Sequence, residues 1–510
     1  MSQSNSHKVK TDSIPHLKIV PTPTTRPSPP PAHEEMKHPR LLSGWGRTSP
    51  SASDVTVPLD TEMLSAFLTS KDPGAPSPVT PSFRLRQPAQ GSKNSVIARG
   101  LGRSYGDAAQ CAGGTVVDTS GLDSIGVIDP VTGRVEVGGG ASLDALIRAS
   151  LPLGWFIPVS PGTRQVTLGG AIAADVHGKN HHREGSFCSH VSSITLVTPT
   201  GVLTITPEND PELFWATAGG MGLTGVIVKA TLHLRRVETA WVEVDTERFN
   251  DLDSAISAMA AMDHVYRYSV AWVDCGSHRG GLGRSILTRG DHAPLNALGP
   301  KLNEHPLAIP RRSPMRLPFT PPRSLVNSST ARVFNEAWFR KTTRRKCGTL
   351  VPLTSFLHPL DGVANWNLLY GKHGFVQYQF VVAPPHVELV RTAIAMVAAS
   401  GISSPMAVLK RFGPGDPGPL SFPMEGWTLA LDFPVCPVGL PPLLDRLDDL
   451  VAGAGGRVYL AKDARLRPEL VGVMYPRLDE LAAARHRVDP HGILESDLSR
   501  RLGLMGAHNL

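Results

Sequence analysis

Two glycine-rich loops in the first half of this 510-residue chain constrain its fold most strongly. The first, ARGLGRSYGDAAQ, spans residues 98–110, and the second, SPGTRQVTLGGAIAADVHGKNHHREGS, spans residues 160–186. Glycine adopts backbone conformations closed to other residues and leaves no Cβ to strike a bound group. Consecutive backbone N–H groups in such loops form concave anion sites. The pair predicts one extended ligand with a phosphate-rich centre, the alternative being ordinary turns between strands.

A third glycine cluster tests whether that ligand lies in a Rossmann fold. Gly220, Gly222 and Gly225 match the G-x-G-x-x-G pattern, which requires a strand before it and a helix after it. Here the following run is VIVKATLHL, which is β-branched and typical of a strand. The first loop has Tyr105 where the third glycine would stand. The sequence therefore argues against a Rossmann fold.

Length and composition indicate a globular protein of more than one domain. The chain is too long for a single core, and 41% of its residues are hydrophobic. We find no apolar run of membrane-spanning length and no secretory signal, so the sequence alone predicts a cytoplasmic protein. Association with a membrane surface, or with its periplasmic side, stays open. The five cysteines form no C-x-x-C pair, which argues against a disulfide framework or a zinc site.

The order of patterns along the chain favours an α+β fold class. Residues 1–42 are rich in proline and are predicted to be a disordered tail. Short strands divided by glycine dominate residues 43–240, and strands mixed with amphipathic helices fill residues 241–456. Residues 457–510 are too few to fold alone, so we expect them to pack against an earlier part of the chain.

Positive charge is concentrated in one region. The formal net charge is +7, yet the segment from Arg279 to Lys346 carries 14 Lys or Arg residues against three acids. Its proline-rich stretches predict mobile basic loops near residues 276–350. Such loops attract anionic lipid or remain solvated without a partner. Nucleic acid is not expected, because no nucleic-acid motif accompanies the charge.

Longer motifs add a resemblance to a known family. SGWGRT begins at residue 43, WATAGGMGLTGVI contains the third glycine cluster, and LKRFGPG, YLAKDAR and MYPRLDE follow in the second half. With the two loops, these motifs resemble the vanillyl-alcohol-oxidase/PCMH superfamily of flavoproteins. Within it they are most similar to enzymes that act on decaprenylphosphoryl ribose. The likeness covers nearly the whole chain, apart from the tail and the loops near 276–350.

The resemblance implies a fold and an activity. It implies a two-domain PCMH-type FAD-binding fold: residues 43–240 bind FAD, and 241–456 form a substrate domain on an antiparallel sheet. Residues 457–510 would return to the FAD domain. The implied reaction is FAD-dependent oxidation of the 2′-hydroxyl of decaprenylphosphoryl-β-D-ribose to a 2′-keto product, the first half of an epimerisation that supplies cell-wall arabinan. An oxidase of a soluble sugar or aldonolactone is the alternative, and a catalytically silent flavin-binding protein is another.

The resemblance also assigns the cofactor site. Contacts to FAD are implied for both loops and for two later residues: Arg99, Gly100, Leu101, Gly102, Arg103, Ser104, Tyr105, Gly106, Asp107, Ala108, Gly162, Thr167, Leu168, Gly169, Gly170, His177, Lys179, Ile227 and Tyr459. Many relatives attach the flavin covalently through a histidine in the first loop. Because residues 98–110 contain no histidine, we predict non-covalent FAD.

Catalytic and substrate residues are implied in the same way. Lys462 and His177 are the two candidate bases, with Tyr105 beside them. The alternative for Lys462 is to stay charged and bind the sugar or the flavin. The substrate would meet Gln377, Gln379, Lys410, Trp427 and Ala430, although Trp427 fits a core position equally well. Gln377 and Gln379 are two apart in FVQYQF, so they share one face of a strand. Ala430 stands where many relatives carry cysteine.

No metal site is expected, and two partners are implied. His177 and His181 are four apart, but Gly178 and Asn180 between them argue against the helix that would align them on a metal. The implied partners are a polyprenyl-phosphate sugar substrate and an NADH-dependent reductase subunit. A membrane surface would meet the basic loops.

Overall fold

Three β-sheets organise the chain. The computed structural model describes residues 39–71, 93–276, 281–309, 314–402, 404–435 and 438–504. The first sheet has four strands, in the spatial order Arg40–Leu42, Ser51–Thr56, Thr115–Asp118 and Val96–Arg99. Its last two strands are parallel, with Val96 beside Thr115, so both carboxyl ends lie at one edge. The first glycine loop leaves the sheet at that edge, directly after Arg99.

The predicted tail is wrong at its carboxyl end. Residues 1–38 lie outside the described part of the chain, but Arg40–Leu42 form an antiparallel strand against Ser51–Thr56. In that strand Leu42 is partly buried and packs against the core. Backbone pairing and this apolar contact order residues that composition had joined to the tail.

The third glycine cluster lies directly before a strand of the second sheet, which is antiparallel throughout. Its spatial order is Arg134–Gly138, Val226–His233, Val191–Thr198 and Gly201–Ile205. The helix Pro211–Thr217 precedes the cluster and the strand Val226–His233 follows it. Gly222 and Gly225 make the turn with positive φ values of 80° and 152°. The order is helix, turn, strand, so the prediction that this cluster is not a Rossmann site is confirmed.

The third and largest sheet is also antiparallel. Its eight strands lie in the order Arg345–Pro352, Trp241–Phe249, Ser285–His292, Tyr268–Val273, Ala407–Phe412, Gly426–Pro434, Phe375–Val382 and Arg457–Val458. Two short pairs complete the strands: Trp155–Phe156 with Arg235–Arg236, and Met315–Arg316 with Val363–Ala364. The α+β class, with an antiparallel sheet in the second half, is confirmed.

Helices pack on the sheets and begin at residues that suit helix starts. In the described ranges they are Thr61–Thr69, Leu143–Ser150, Leu168–Ala173, His181–Glu184, Pro211–Thr217, Leu252–Met262, Pro300–Asn303, Ser328–Lys341, Leu353–Leu357, Glu388–Ser400, Leu440–Gly453, Val471–Met474, Leu478–Val488 and Asp497–Leu502. The side chains of Asp60, Ser142 and Asp251 each accept a hydrogen bond from a backbone N–H of the first turn. None of the helices described is long and apolar enough to cross a membrane.

The structure differs from the prediction of loops near 276–350. That region contains the strand Ser285–His292 at the interior of the large sheet and the helix Ser328–Lys341. Asn327 begins the helix with a capping box, in which Thr330 bonds back to the Asn327 N–H. Residues 277–280 and 310–313 lie outside the described ranges. The mobility of the remaining loops stays a prediction.

The carboxyl-terminal stretch contacts both halves of the chain. Arg457–Val458 pair with the strand Phe375–Val382 in the large sheet. Further on, the Val96 N–H donates to the Ile493 carbonyl at 2.7 Å, at the first sheet. The described residues from Pro39 onward form one compact unit, and the predicted domain boundaries near 240 and 456 remain predictions.

Candidate active site

The first glycine loop is held against the second loop and against the YLAKDAR segment. A Cβ on Gly100 would lie 2.1 Å from Thr167 Oγ1, and one on Gly106 would lie 1.9 Å from the Asp463 carbonyl oxygen. Gly102 has a φ of +62°, which favours glycine. Close packing and backbone conformation therefore require glycine at these three positions.

Backbone hydrogen bonds fix the path of the same loop. Trp45 N–H donates to the Ser104 carbonyl at 2.7 Å, and Gly46 N–H donates to the Tyr105 carbonyl at 3.0 Å. On the other side, Tyr105 N–H donates to the Ala461 carbonyl at 2.9 Å. SGWGRT, the first loop and YLAKDAR thus form one layer, although they are far apart in sequence. The structure brings Tyr105 to the segment that carries Lys462.

The charged residues of the first loop have different surroundings. Arg99 donates to the carbonyls of Ala109 at 3.0 Å and Ser43 at 2.8 Å, so its charge closes the loop. Asp107 is paired with Arg501 at 2.8 Å. Arg103 stacks over the Trp45 ring at 3.9 Å, and among the described residues its buried Nε has no hydrogen-bond partner. Arg103 is therefore the cation of the loop that is available to an anion, whereas Arg99 and Asp107 support the loop.

The second loop packs on the glycine run at residues 138–140, which was not singled out from the sequence. Gly169 N–H donates to the Gly139 carbonyl at 2.8 Å, and a Cβ on Gly139 would lie 1.9 Å from the Ile227 carbonyl oxygen. Thr167 caps the short helix Leu168–Ala173 by accepting from Gly170 N–H at 3.2 Å. The available signal was GGG at residues 138–140, where three bare residues allow this close approach.

Two predicted cofactor residues show no such packing requirement. A Cβ on Gly162 would meet no atom within 4 Å, and the Leu101 side chain is 41% exposed. Their assignment to the cofactor site stays a prediction from resemblance. Ser104 and Ala108 lie within the loop and are at least half-buried.

A chain of hydrogen bonds orients His177. The Thr428 hydroxyl donates to the Phe380 carbonyl at 2.8 Å, so its oxygen accepts from Gln379 Nε2 at 2.9 Å. That fixes the amide orientation of Gln379, whose Nε2 also lies 3.0 Å from His177 Nε2. His177 Nε2 must then accept, and a neutral ring carries its proton on Nδ1. Thr428 was not predicted, since a threonine in a strand carries no signal of this role.

Aromatic rings surround His177 and keep it neutral. Phe412, Phe422 and Tyr459 have ring centroids at 4.8, 5.6 and 5.1 Å from that of His177. The Tyr459 hydroxyl donates a hydrogen bond to the Ala174 carbonyl oxygen at 2.8 Å. Burial above all, with Lys410 and Lys462 nearby, lowers the pKa of His177 well below its ordinary value. Near neutral pH the imidazole therefore presents an N–H donor at Nδ1.

Two lysines, Lys410 and Lys462, lie near this histidine, and a third, Lys179, lies near Lys410. Burial is the main cause that lowers the pKa of Lys410 to about 7, and Lys462 and Lys179 lower it further as neighbouring cations. Burial also brings the pKa of Lys462 to about 8 against the opposing effect of Asp432. Lys179 has its pKa lowered to about 8 by burial and donates to the Phe356 carbonyl. A neutral amine is thus accessible near physiological pH at Lys410 and Lys462.

Asp432 is a site residue that sequence reasoning missed. Gln377 Nε2 donates to Asp432 Oδ1, and burial raises the pKa of Asp432 to about 6 while Gln377, Lys462 and Tyr370 oppose the shift. The available signal was a carboxylate inside the apolar strand Gly426–Pro434. The Tyr105 ring lies 5.4 Å from Lys462 Nζ, and burial with Asp432 raises the pKa of Tyr105 well above its ordinary value.

Comparison with known proteins identifies the family. Residues 86–206 match the family model described as an FAD binding domain. Decaprenylphosphoryl-beta-D-ribose oxidase of Mycolicibacterium smegmatis is 44% identical over 471 residues, which cover 91% of this chain and 98% of that protein. The chain belongs to the family of decaprenylphosphoryl-β-D-ribose oxidases.

More distant relatives share smaller parts of the chain. An uncharacterised protein of Streptomyces coelicolor is 42% identical over 371 residues, 71% of this chain and all of that protein. Cytokinin dehydrogenase 5 of Oryza sativa subsp. japonica is 29% identical over 240 residues, covering 43% of this chain and 44% of that protein. With the FAD-binding match, these relatives identify this member of the decaprenylphosphoryl-β-D-ribose oxidase family as an FAD-dependent oxidoreductase.

The residues of this oxidase fit FAD on structural grounds. The two loops have glycine at the positions where a Cβ would strike a neighbouring segment, and Arg103 offers a partly buried cation whose Nε has no partner among the described residues. Among the described residues, four buried side-chain atoms of this cluster have no hydrogen-bond partner in the protein: His177 Nδ1, Gln377 Oε1, Gln379 Oε1 and Asp432 Oδ2. Buried polar groups are normally hydrogen-bonded, so these atoms point to a bound group with its own donors and acceptors.

The strand register of this oxidase places the predicted substrate residues on two different faces of the large sheet. Gln379 lies opposite Ala430, and Lys410 lies opposite Thr428, so these residues share one face of the large sheet with Gln377. Trp427 is one residue away from Thr428, and it therefore points to the opposite face. It is 5% exposed and belongs to the hydrophobic core. This geometry favours a core role for Trp427, and its contact with substrate stays a prediction.

Two other histidines of the second loop, His181 and His182, form hydrogen bonds with other parts of the protein. His181 Nδ1 accepts from Gly413 N–H at 3.2 Å, and His182 Nε2 lies 2.9 Å from the Tyr266 carbonyl. No cluster of three or more histidine, cysteine or acidic side chains able to hold a metal occurs in the described ranges. His181 and His182 thus connect the FAD-binding half to the large sheet.

The absence of histidine from residues 98–110 gives a first testable prediction. We expect FAD to be held without a covalent bond, because this loop offers no imidazole for attachment. Acid precipitation of the purified protein should leave all flavin absorbance in the supernatant. Flavin that stays with the precipitated protein would contradict the prediction.

Proposed function

We propose that this protein oxidises the 2′-hydroxyl of decaprenylphosphoryl-β-D-ribose to the 2′-keto product. The observation that carries the proposal is the convergence of Lys462, Asp432, Gln377 and His177 beside the two glycine loops. Similarity to the M. smegmatis protein, over 98% of that protein's length, supports the substrate class. When bound, FAD supplies the acceptor for the hydride that leaves the sugar carbon.

Lys462 is the proposed base for the sugar hydroxyl. A lysine with its pKa lowered to about 8 by burial is partly neutral under assay conditions and can take a proton. His177 is the rival, but its Nε2 lone pair already accepts from Gln379, which leaves Nδ1 as a donor. We therefore assign His177 to hydrogen-bond donation and Lys462 to proton removal.

Asp432 and the two glutamines position the reacting groups in this proposal. Asp432 is fully buried, and its carboxylate favours the charged form of Lys462. It would hold the ammonium formed when Lys462 accepts the proton. Gln377 Oε1 and Gln379 Oε1 are acceptors without protein partners among the described residues, so they suit the remaining sugar hydroxyls. Lys410 supplies positive charge on the same sheet face.

Two partners belong to the proposal. Epimerisation requires that hydride return to the opposite face of the 2′-keto carbon, which calls for a separate reductase, proposed to be NADH-dependent. The polyprenyl chain of the substrate calls for contact with a membrane surface. The basic segment near 276–350 suits that contact through its surplus of Lys and Arg.

Anaerobic mixing tests the proposed reaction. The purified FAD-loaded protein is combined with a decaprenylphosphoryl ribose in detergent, and the visible flavin band is followed. We expect the band to bleach with the lipid-linked ribose and to stay unchanged with free pentoses or aldonolactones. Bleaching by the soluble sugars alone would favour a soluble-sugar oxidase, and no bleaching with any of them would favour a silent flavoprotein.

A further inference from the structure

The helix Ser328–Lys341 presents large apolar side chains to solvent. Val333 is 71% exposed, Phe334 52% and Trp338 43%. The rings of Phe334 and Trp338 are parallel, with centroids 6.3 Å apart. Aromatic pairs of this size normally lie in a core or an interface, so their exposure on one helix face points to a partner.

The opposite face of the same helix is fixed to the protein. Ala331, Asn335 and Phe339 are buried and follow one another at a spacing of four residues. Asn335 Nδ2 donates to Asp274 Oδ1 at 2.8 Å. Phe339 lies between the guanidinium groups of Arg248 and Arg284, each 4.6 Å from its ring. The outward direction of Phe334 and Trp338 is therefore set by packing.

Exposed basic residues flank the two rings in the sequence. Between residues 328 and 346, the exposed cations are Arg332, Arg340, Lys341, Arg344, Arg345 and Lys346. The acidic residue in that stretch, Glu336, is paired with Arg284 and Arg340. An apolar helix face flanked by a surplus of Lys and Arg matches helices that lie in the headgroup region of anionic bilayers. Charge complementarity thus indicates a lipid surface.

The segment before the helix extends the same surface toward the site. Phe319 is 66% exposed and Leu325 is 52% exposed. Leu325 N–H donates to the Leu369 carbonyl at 2.8 Å, and the neighbouring Tyr370 ring stacks on Phe375 at 4.3 Å. Phe375 in turn contacts the Tyr105 ring at 5.4 Å. The segment that carries Leu325 is thus joined by a backbone hydrogen bond to a row of aromatic side chains, Tyr370, Phe375 and Tyr105, that reaches the catalytic cluster.

We propose that the helix Ser328–Lys341 lies in the surface of an anionic lipid bilayer. Phe334 and Trp338 enter the boundary between headgroups and acyl chains, and the flanking Lys and Arg residues contact lipid phosphates. The proposal rests on the proposed function in one respect, because a lipid-linked substrate gives the enzyme a reason to be at the membrane. It names the protein surface that meets the bilayer.

Vesicle binding tests this surface. The full-length FAD-loaded protein is sedimented with vesicles that contain equal amounts of phosphatidylglycerol and phosphatidylcholine, or with vesicles of phosphatidylcholine alone. We expect binding to the anionic vesicles that falls as salt rises, and a loss of about tenfold or more in the double variant Phe334→Ser, Trp338→Ser. The matched control is Val127→Ser, Val131→Ser, at side chains that are 93% and 85% exposed elsewhere on the protein; it should bind as the unchanged protein does.

Three outcomes would overturn the inference. The first is that the unchanged protein does not bind anionic vesicles, and the second is that the Phe334, Trp338 double variant binds them equally well. The third is that the unchanged protein forms a dimer that the double variant does not form, because a second copy of the chain would then cover this helix face. Oxidation of a short-chain, water-soluble phosphoryl ribose separates this inference from the proposed function. The double variant should oxidise it at the unchanged rate, because neither residue lies in the catalytic cluster, whereas failure of the unchanged protein on it would count against the function alone.

Discussion

Replacing Lys462 with methionine is expected to leave FAD bound but to slow flavin reduction by the lipid-linked ribose. The expected loss in rate is about 10²–10⁴-fold, which is the typical contribution of a general base. Methionine keeps the apolar stem but cannot accept a proton. The contacts that hold the first loop, such as Tyr105 N–H to the Ala461 carbonyl, use backbone atoms and should persist. Stopped-flow absorbance of the flavin under anaerobic conditions measures the effect.

The pH profile of the unchanged enzyme should carry the signature of the same residue. Burial lowers the pKa of Lys462 to about 8, so the amine is protonated below that pH and neutral above it. A base works when it is neutral, and the rate of flavin reduction should therefore rise from pH 7 to pH 9 and then level off. Lys462→Met should lose this rise.

His177→Gln serves as the discriminating control. The glutamine side chain retains a hydrogen-bond donor but cannot act as a base between pH 7 and pH 9. The unchanged histidine stays neutral in that range, because burial lowers its pKa well below the ordinary value. If Lys462 is the base, His177→Gln should keep the rise between pH 7 and pH 9, even with a reduced rate. Loss of the rise in His177→Gln, together with its persistence in Lys462→Met, would transfer the role to His177.

Local signals in the sequence predicted the loops better than the chemistry around them. Gly100 and Gly106 are identifiable because glycine has a conformational and steric meaning that does not depend on distant partners. The alternation in FVQYQF likewise placed Gln377 and Gln379 on one face. Both predictions concern what a residue does within its own segment.

The partners of those residues depended on strand register, which the sequence left open. Gln379 meets Thr428 because Gln379 pairs with Ala430 across two strands that are distant in sequence. A shift of one residue would have exchanged the faces of Thr428 and Trp427. The face of Asp432 was therefore not readable from the sequence, and the resemblance that assigned Trp427 to the site carried no information on register.

Proline content misled the prediction near residues 276–350. Around Pro314, Pro318, Pro321 and Pro322 the regular structure is limited to the two-residue strand Met315–Arg316, but the strong helix start at Asn327 lies just beyond them. Its capping box, Asn327 with Thr330, was readable from the sequence. The strand Ser285–His292 was not, because its stability comes from two neighbouring strands that flank it in the large sheet.

Replacing Gly106 with alanine is expected to lower both FAD content and stability. The new methyl group would lie 1.9 Å from the Asp463 carbonyl oxygen and 2.9 Å from its carbon. These are backbone atoms, so relief requires the first loop to move away from the segment that holds Lys462. Overpacking of this kind typically costs about 1–3 kcal/mol of unfolding free energy. The flavin-to-protein absorbance ratio and the thermal unfolding midpoint measure the two effects.

Gly162→Ala is the matched control for that experiment, because a methyl group there meets no atom within 4 Å. It should retain FAD and the unfolding midpoint of the unchanged protein. A third variant, Gly100→Ala, places its methyl group 2.1 Å from Thr167 Oγ1, a side-chain atom that can move more easily than backbone. Its losses should fall between those of the other two. Equal FAD content in Gly106→Ala and Gly162→Ala would show that contact between the first loop and the Asp463 backbone does not shape the cofactor site.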